Sequence, residues 1–342
     1  MTDLLYTESV VTGRAGYAPA VELERAWDAG RFGQVWQLGA RMVSARLTKA
    51  EGGGMWKCVE RLPLEEPGPM LDALEAAGIH HPSSWSDCFH QLAPRFPPLR
   101  YTYNGLLSWW PGGPWEEARR VGKHRGHWWR YDLRSAYRWA GSLGLPDPES
   151  YSVTTGPVDG PGIWLLTLRG RTSHLPNLFQ GTGPVVMTTE EVEGYGVASD
   201  VIRGIQWESN VPGNFVDETL AKIPFPKPAA RAYWGRWIAR DPLHCWTPKT
   251  QWSLPNLHAN FLWGWLIIGR VRLRVWEVSQ EAAHVYIDEV VVPHPLPTGD
   301  APGDWHTKEE YPRGVHVHRT GWYGAPGQST MQTGVSHHAR RN

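Results

Sequence analysis

Two stretches, WRYDLRSAYRW (129–139) and HVYIDEVVV (284–292), decide how this chain is read. Each is an aromatic-led, strand-like run that delivers a carboxylate, Asp132 in the first and Asp288 in the second. Taken singly, an aspartate at a strand end is usually a turn or capping residue. Taken as a pair from strands far apart in the chain, the two match the needs of a phosphoryl-transfer centre. There, two divalent ions about 3.5–4 Å apart clamp the attacking and leaving oxygens. Magnesium is typically held by one or two carboxylates plus substrate phosphates. The pair therefore points to nucleotide polymerisation.

The surroundings of these carboxylates are basic. Residues 118–134, ARRVGKHRGHWWRYDLR, lead straight into Asp132, and GRVRLR (269–274) forms a second cluster. Either cluster suits a nucleic-acid contact or an ordinary solvated face. Formal net charge is zero, so whole-chain electrostatics give nucleic-acid binding little support. The 21 Trp residues read mainly as core and scaffold, although aromatic faces also stack on bases, at about 1–3 kcal/mol each.

At 342 residues and 41% apolar content, the chain suits one large or two modest domains. The most apolar run, FLWGWLIIGRVRLRVW (261–276), is interrupted by Arg270, Arg272 and Arg274, which argues against a membrane span of about 20 residues. The N-terminus lacks a basic segment followed by an apolar one, so no secretion signal is expected. Cys58, Cys88 and Cys245 have no paired spacing, which favours a reducing cytoplasm over disulfides or a zinc ribbon.

Along the chain, PMLDALEAAGI (69–79) reads as a short amphipathic helix stopped at Gly78. LAPRFPPLR (92–100) reads as a linker, and TTEEVEGYG (188–196) opens as a capped helix. Strands are expected at 161–170, 183–189 and 200–209, and helices at 215–223, 227–240 and through FLWGWLIIGRVRLRVW. HVYIDEVVV starts a hairpin. In GVHVHRTGWYG (314–324), alternation places His316 and His318 on one strand face, as exposed histidines rather than metal ligands. Mixed strands and helices in this order describe an α+β fold with an antiparallel sheet.

Four motifs in this order resemble those of a much reduced family B DNA polymerase of the viral and phage type. YDLRSAY (131–137) is similar to the family's motif A, D-x-x-S-L-Y-P. KPAARAYWG (227–235) is similar to motif B, K-x-x-x-N-S-x-Y-G, with Lys227 and Gly235 in register. YIDEV (286–290) is similar to motif C, Y-x-D-T-D. WPGG (110–113) is similar to the Y-x-G-G element before the palm. The resemblance covers about residues 105–295. It implies a polymerase palm with an antiparallel sheet, much shortened fingers, little or no thumb and a small N-terminal α/β region. The expected division begins with an N-terminal region without exonuclease motifs (1–100) and a first palm segment with motif A (101–210). Reduced fingers with motif B (211–250), a second palm segment with motif C (251–324) and a disordered tail (325–342) follow.

The resemblance also implies roles. Asp132 and Asp288 would bind two Mg2+ (or Mn2+) ions, with the Leu133 carbonyl as a further ligand. Backbone amides of Ser135, Ala136 and Tyr137 would cradle the triphosphate, as amides at a helix start can. Tyr137 would lie under the sugar and exclude a 2′-hydroxyl. Lys227 would face the incoming phosphates. Tyr233 and Gly235 would line the nascent base pair. Gly112 and Gly113 would allow close approach of the template strand, with Arg119 and Arg120 as further DNA contacts.

Departures from the family pattern are specific. Arg138 replaces the motif A proline. Arg231, Ala232 and Trp234 replace Asn, Ser and Tyr in motif B. Val290 stands where motif C has its second acid, and Glu289 is adjacent, on the opposite face unless a turn intervenes. Residues 210–227 are too few for a long fingers hairpin, so its phosphate-binding Arg is absent or replaced by Lys222. Two readings follow. One is a template-directed DNA polymerase, or primase-polymerase, adding dNTPs to a 3′-hydroxyl in phage or mobile-element replication. Its partners would be template and primer DNA and a replication accessory protein, in the bacterial host cytoplasm, with no membrane. The other is a catalytically weakened polymerase-like protein for nucleic-acid binding or replisome assembly. A terminal transferase using the same metals is a third, weaker option.

Overall fold

A computed structural model describes residues 4–8, 15–19, 48–49, 56–57, 73–79, 85–96, 114–211, 213–238, 243–246, 251–254 and 260–327. Before residue 73, between 243 and 254, and at Pro228, only the backbone is described. Most of the expected tail, residues 328–342, lies outside the described residues, as do the second half of the expected linker and the WPGG element. The fold mixes helices with antiparallel sheet, and it divides into two compact units. Unit 1 comprises Met1–Pro98 and Asn214–Phe261; unit 2 comprises Leu99–Gly213 and Leu262–Asn342.

Unit 1 contains three short antiparallel ladders: β1 (Leu4–Glu8) with β2 (Ala15–Pro19), β3 (Thr48–Lys49) with β4 (Trp56–Lys57), and β12 (Leu243–Trp246) with β13 (Gln251–Leu254). Residues 73–76 are helical, and the turn ends at Gly78 with φ 80°. Glycine adopts that left-handed conformation without a steric penalty. The unit's core is an aromatic cluster joining α1 (Trp85–Leu92), α4 (Phe215–Lys222) and α5 (Pro226–Ile238). The Phe89 ring lies 4.6 Å from Tyr233 and 6.0 Å from Trp237, and Phe215 lies 6.2 Å from Trp237. Helix α4 is well specified locally: the Asn214 side chain accepts from the Asp217 amide, Asp217 and Glu218 sit in the first turn, and Lys222 sits in the last. These charges complement the helix dipole. Helix α5 opens on Pro226, whose fixed φ suits a first turn.

Unit 2 is built on a five-stranded sheet ordered β16-β7-β15-β14-β5. The strands are β5 (Glu116–Glu117), β7 (Trp128–Leu133), β14 (His284–Tyr286), β15 (Glu289–Val292) and β16 (Trp305–Tyr311). Val290, Val291 and Val292 of β15 are fully buried, as suits the central strand of the sheet, and Glu289 is buried with them. A second sheet, β18-β17-β6, consists of β6 (Gly122–His124), β17 (Val315–Arg319) and β18 (Trp322–Gly324). Trp128, Val291, Tyr311, Val315, Val317 and Tyr323, drawn from both sheets, share one buried cluster.

The third sheet, β10-β9-β11-β8, is formed by β8 (Tyr151–Thr154), β9 (Gly162–Arg169), β10 (Val185–Thr188) and β11 (Ala198–Trp207). Trp164 is fully buried at its centre. Its ring lies over Gly204, where an added Cβ would meet it at 2.3 Å. Helix α2 (Ala136–Ser142) follows β7, and α3 (Thr189–Tyr195) carries a complete capping box between Thr188 and Glu191. That arrangement satisfies two orphan amides and is worth about 1 kcal/mol.

Helix α6 (Phe261–Val278) is the long helix expected from the apolar run, and its Arg270 and Arg272 are buried rather than presented to a ligand. Arg272 forms a fully buried pair with Glu191 at 2.9 Å. Arg270 contacts Glu190 and donates to the carbonyls of Ala140 and Gly144. Arg274 pairs with Glu277. The basic cluster at 269–274 is therefore scaffold, which corrects its reading as a nucleic-acid contact. Gly269 permits this approach, since a Cβ there would meet the Glu191 carboxylate at 2.9 Å. Among the described residues, no helix is long and apolar enough to cross a membrane.

Candidate active site

Asp132 lies on β7, between β15 and β16, and its ladder partners are Glu289 and His306. Directly paired residues project to the same face of a sheet, so these three side chains share one face. Asp288 occupies the two-residue turn Ile287–Asp288 that joins β14 to β15. The turn intervenes between Asp288 and Glu289, so strand alternation does not relate them. The Leu133 amide donates to the Asp288 carbonyl at 2.8 Å, fastening the end of β7 to the hairpin tip. The Ile287 amide donates to the Trp115 carbonyl at 2.7 Å, fastening the other side of that tip.

Ile287 has φ 62°. A β-branched residue in that region is a true outlier, costing about 1–3 kcal/mol, and such strain concentrates at functional sites. The two backbone bonds hold the turn in this conformation. Ser135 is likewise left-handed, with φ 48°, and gives α2 no side-chain cap. The first-turn amides after it, including Ala136 and Tyr137, have no intrahelical acceptors. Ser135 itself is exposed.

Charge is concentrated at this end of the sheet. Asp132 accepts an ion pair from Lys308 at 2.9 Å. Lys308 is the extra residue of a bulge, where the β16–β7 register shifts between Thr307 and Glu309. Bulges commonly re-aim a side chain next to active sites. Tyr137 is held well above the usual tyrosine range by burial, and then by the negative charges of Asp288 and Glu116. Tyr286 is raised for the same first reason, with Glu116 and Glu289 adding to it. Glu116, opposite Tyr286 on β5, is itself raised by burial. Tyr137 and Tyr286 thus lie within the field of several carboxylates at one end of the sheet.

Glu289 is occupied. Arg130 meets it at 2.6 Å and 2.8 Å, and the Tyr323 hydroxyl donates to its other oxygen. Burial raises the Glu289 carboxyl, against the stabilising pull of Arg130 and Tyr323. This network makes Glu289 part of the scaffold rather than a spare metal ligand. Among the described residues, no three His, Cys, Asp or Glu side chains are grouped to hold a metal. Asp132 is engaged by Lys308, and Asp288 sits in the adjoining turn.

The remaining residues singled out in the sequence divide sharply. Lys222, Lys227, Arg231 and Gly235 belong to unit 1 and are exposed. Lys227, Arg231 and Gly235 recur every four residues along one face of α5. Tyr233 is fully buried against Phe89 and Trp237, which makes it a core ring and corrects its reading as a base-pair contact. Arg119 is spent on Ser279 and lies over the Trp115 ring, whereas Arg120 is exposed. Gly112 and Gly113 lie outside the described residues. Sequence reasoning missed Lys308, which only the bulge aims at Asp132, and Glu116, which only strand pairing brings beside Tyr286.

No protein-family model matches the chain, and no curated protein is similar to it in sequence. Solved structures are similar in fold. One is a Phi29 DNA polymerase complexed with primer-template DNA and incoming nucleotide substrates. It is 14% identical, covers 79% of this chain and 59% of its own, and has a TM-score of 0.50. Another is an orthorhombic crystal form of the same polymerase, 14% identical, covering 77% of this chain and 56% of its own, with a TM-score of 0.51. The fold is polymerase-like. The chain spans little more than half the length of these polymerases.

Proposed function

We propose that the chain is a small, template-directed DNA polymerase of the family B type, with priming as a variant of the same activity. The observation that carries this reading is the tether between Leu133 and Asp288. It fastens the backbone just after Asp132 to the backbone of Asp288 at one end of a central strand pair, within a polymerase-like fold. In the proposed reaction a primer 3′-hydroxyl attacks the α-phosphate of a bound dNTP in line, and pyrophosphate leaves. Asp132 and Asp288 would hold two magnesium or manganese ions. Bound there, these ions supply the charge that activates the attacking oxygen and neutralises the phosphates. The amides of Ser135, Ala136 and Tyr137 would receive phosphate oxygens at the uncapped start of α2. Tyr137, kept neutral, would pack against the sugar.

Metal-dependent incorporation of labelled dNTPs on a primed template tests this reading. The expected result is robust extension by the native chain, and loss by at least about 10³-fold in Asp132→Ala and Asp288→Ala with unchanged circular dichroism. Full activity in either variant overturns the assignment. An unprimed template in the same assay reports priming.

One observation favours a second reading, a polymerase-like nucleic-acid-binding protein without catalysis. Lys308 already neutralises Asp132 at 2.9 Å, and Val290 stands where motif C has its second acid. In that case, the native chain and Asp132→Ala bind primed DNA equally and neither extends it.

A further inference from the structure

The sheet β18-β17-β6 has one buried face and one open face, and the open face is unlike the rest of the molecule. Val315 and Val317 point into the core with Tyr323. The alternate residues His316 and His318 share the other face, with ring centroids 3.8 Å apart. Lys123 is the cross-strand partner of His316, projects beside it and is exposed. Arg319 lies opposite Trp322 at a bulge, with its guanidinium 4.5 Å from the indole centroid. The turn before β17 adds the exposed Arg313. It is pressed against β6 so tightly that a Cβ at Gly314 would meet the His124 carbonyl at 2.1 Å. Exposed Arg125 follows directly.

No Asp or Glu occurs in residues 118–131 or 312–324, although both segments are rich in Lys, Arg and His. Charged surfaces ordinarily intersperse the two signs, and a single-sign field is kept for steering or holding an oppositely charged partner. Glu310 pairs with His127 at the edge of this region. Flat strand surfaces carrying basic side chains and an accessible aromatic ring are suited to tracking a phosphodiester backbone.

We propose that this open face, centred on Lys123, Arg125, Arg313 and Arg319, is a nucleic-acid backbone contact separate from the carboxylate pair. A nucleic acid is chosen over other polyanions because β6 runs on into β7. Arg125 lies seven residues before Asp132, so at about 3.3 Å per residue the two are at most roughly 23 Å apart. That is about six or seven nucleotides at roughly 3.4 Å per phosphate along one strand. One bound duplex can therefore touch both places. This choice of partner rests on the polymerase-like reading above, but the contact itself does not require catalysis.

The test is fluorescence anisotropy with a labelled primer-template duplex, titrated at several salt concentrations. It uses the full chain and the variant Lys123→Gln/Arg125→Gln/Arg319→Gln, with Asp132→Ala alongside. The expected result is about a tenfold or greater loss of affinity in the triple variant, for any DNA sequence. The slope of log affinity against log salt should fall by about two to three. Melting temperature should be unchanged, because these side chains are exposed, and Asp132→Ala, measured in parallel, reports what the carboxylate site itself contributes to binding. Unchanged affinity and slope in the triple variant overturn the proposal. So does tighter binding of anionic lipid vesicles or polyglutamate than of DNA by the native chain, lost in the same variant. A native chain that binds DNA through this face yet extends no primer refutes the catalytic reading and leaves this one standing.

Discussion

At the scale of single residues, the sheet end around Asp132 is held by groups that are costly anywhere else. His284 is one of them. It is buried, its Nε2 accepts from the Gly321 amide at 2.8 Å, and its Nδ1 is buried without a hydrogen-bond partner. Burial, and then the nearby Arg130 charge, bring its pKa down to about 4. An unfolded histidine titrates near 6.5. Acid therefore protonates the unfolded chain first, and the native state keeps its advantage only above about pH 6.5. Between there and about pH 4 this group should remove on the order of 3 kcal/mol of stability. Urea midpoints at pH 7 and pH 4.5 should fall further in the native chain than in His284→Asn. Parallel falls would mean that the imidazole is not held neutral. Little of this was legible from the sequence. Asp132 and Asp288 stood out because a strand pattern and a carboxylate coincide in each. Lys308, which pairs with Asp132, is aimed by one bulge, and Glu116, opposite Tyr286, is placed by strand pairing, and neither leaves a local trace.

At the scale of elements, local signals read well wherever backbone groups are satisfied nearby. TTEEVEGYG reads as the opening of a capped helix, and the structure places α3 at Thr189–Tyr195, with the box formed by Thr188 and Glu191 and the stop at Gly196. The alternation in VHVHR placed His316 and His318 on one face, as β17 has them. The arginines of α6 were misread because their partners, Glu190 and Glu191, come from a helix distant in the chain. A buried pair gains little over an apolar replacement but leaves a stranded charge when halved. Arg272→Met should therefore cost about 3–5 kcal/mol, seen as a lowered urea midpoint. Arg272→Met with Glu191→Leu should recover most of that loss. A double variant no more stable than the single one would refute this account.

At the scale of the whole molecule, each compact unit is assembled from two separated stretches of chain. Order along the sequence suggested successive domains. What the sequence could not convey is that residues 214–261 return to the first unit, because the aromatic spacing of α1 and α5 does not name its partner. The return has a consequence for truncation. Phe89 packs on Tyr233 and Trp237, so deleting residues 1–98 strips the cover from α5. Such a chain should bind a hydrophobic dye and elute as aggregate by size exclusion, while the intact chain does neither. A monodisperse, dye-negative truncation would show that α4 and α5 bury their rings without α1.

The position of β7 sets the timing of folding during synthesis. This strand is translated early, yet its two neighbours, β15 and β16, end at Val292 and Tyr311. At about 5–20 residues per second, the wait from Leu133 to Tyr311 is roughly 10–35 s. Until Val292 is made both edges of an aromatic strand remain unpaired, and until Tyr311 one still is, an open template for pairing with another chain. The same discontinuity that gathers two distant carboxylates at one sheet end makes the nascent chain a client for chaperones.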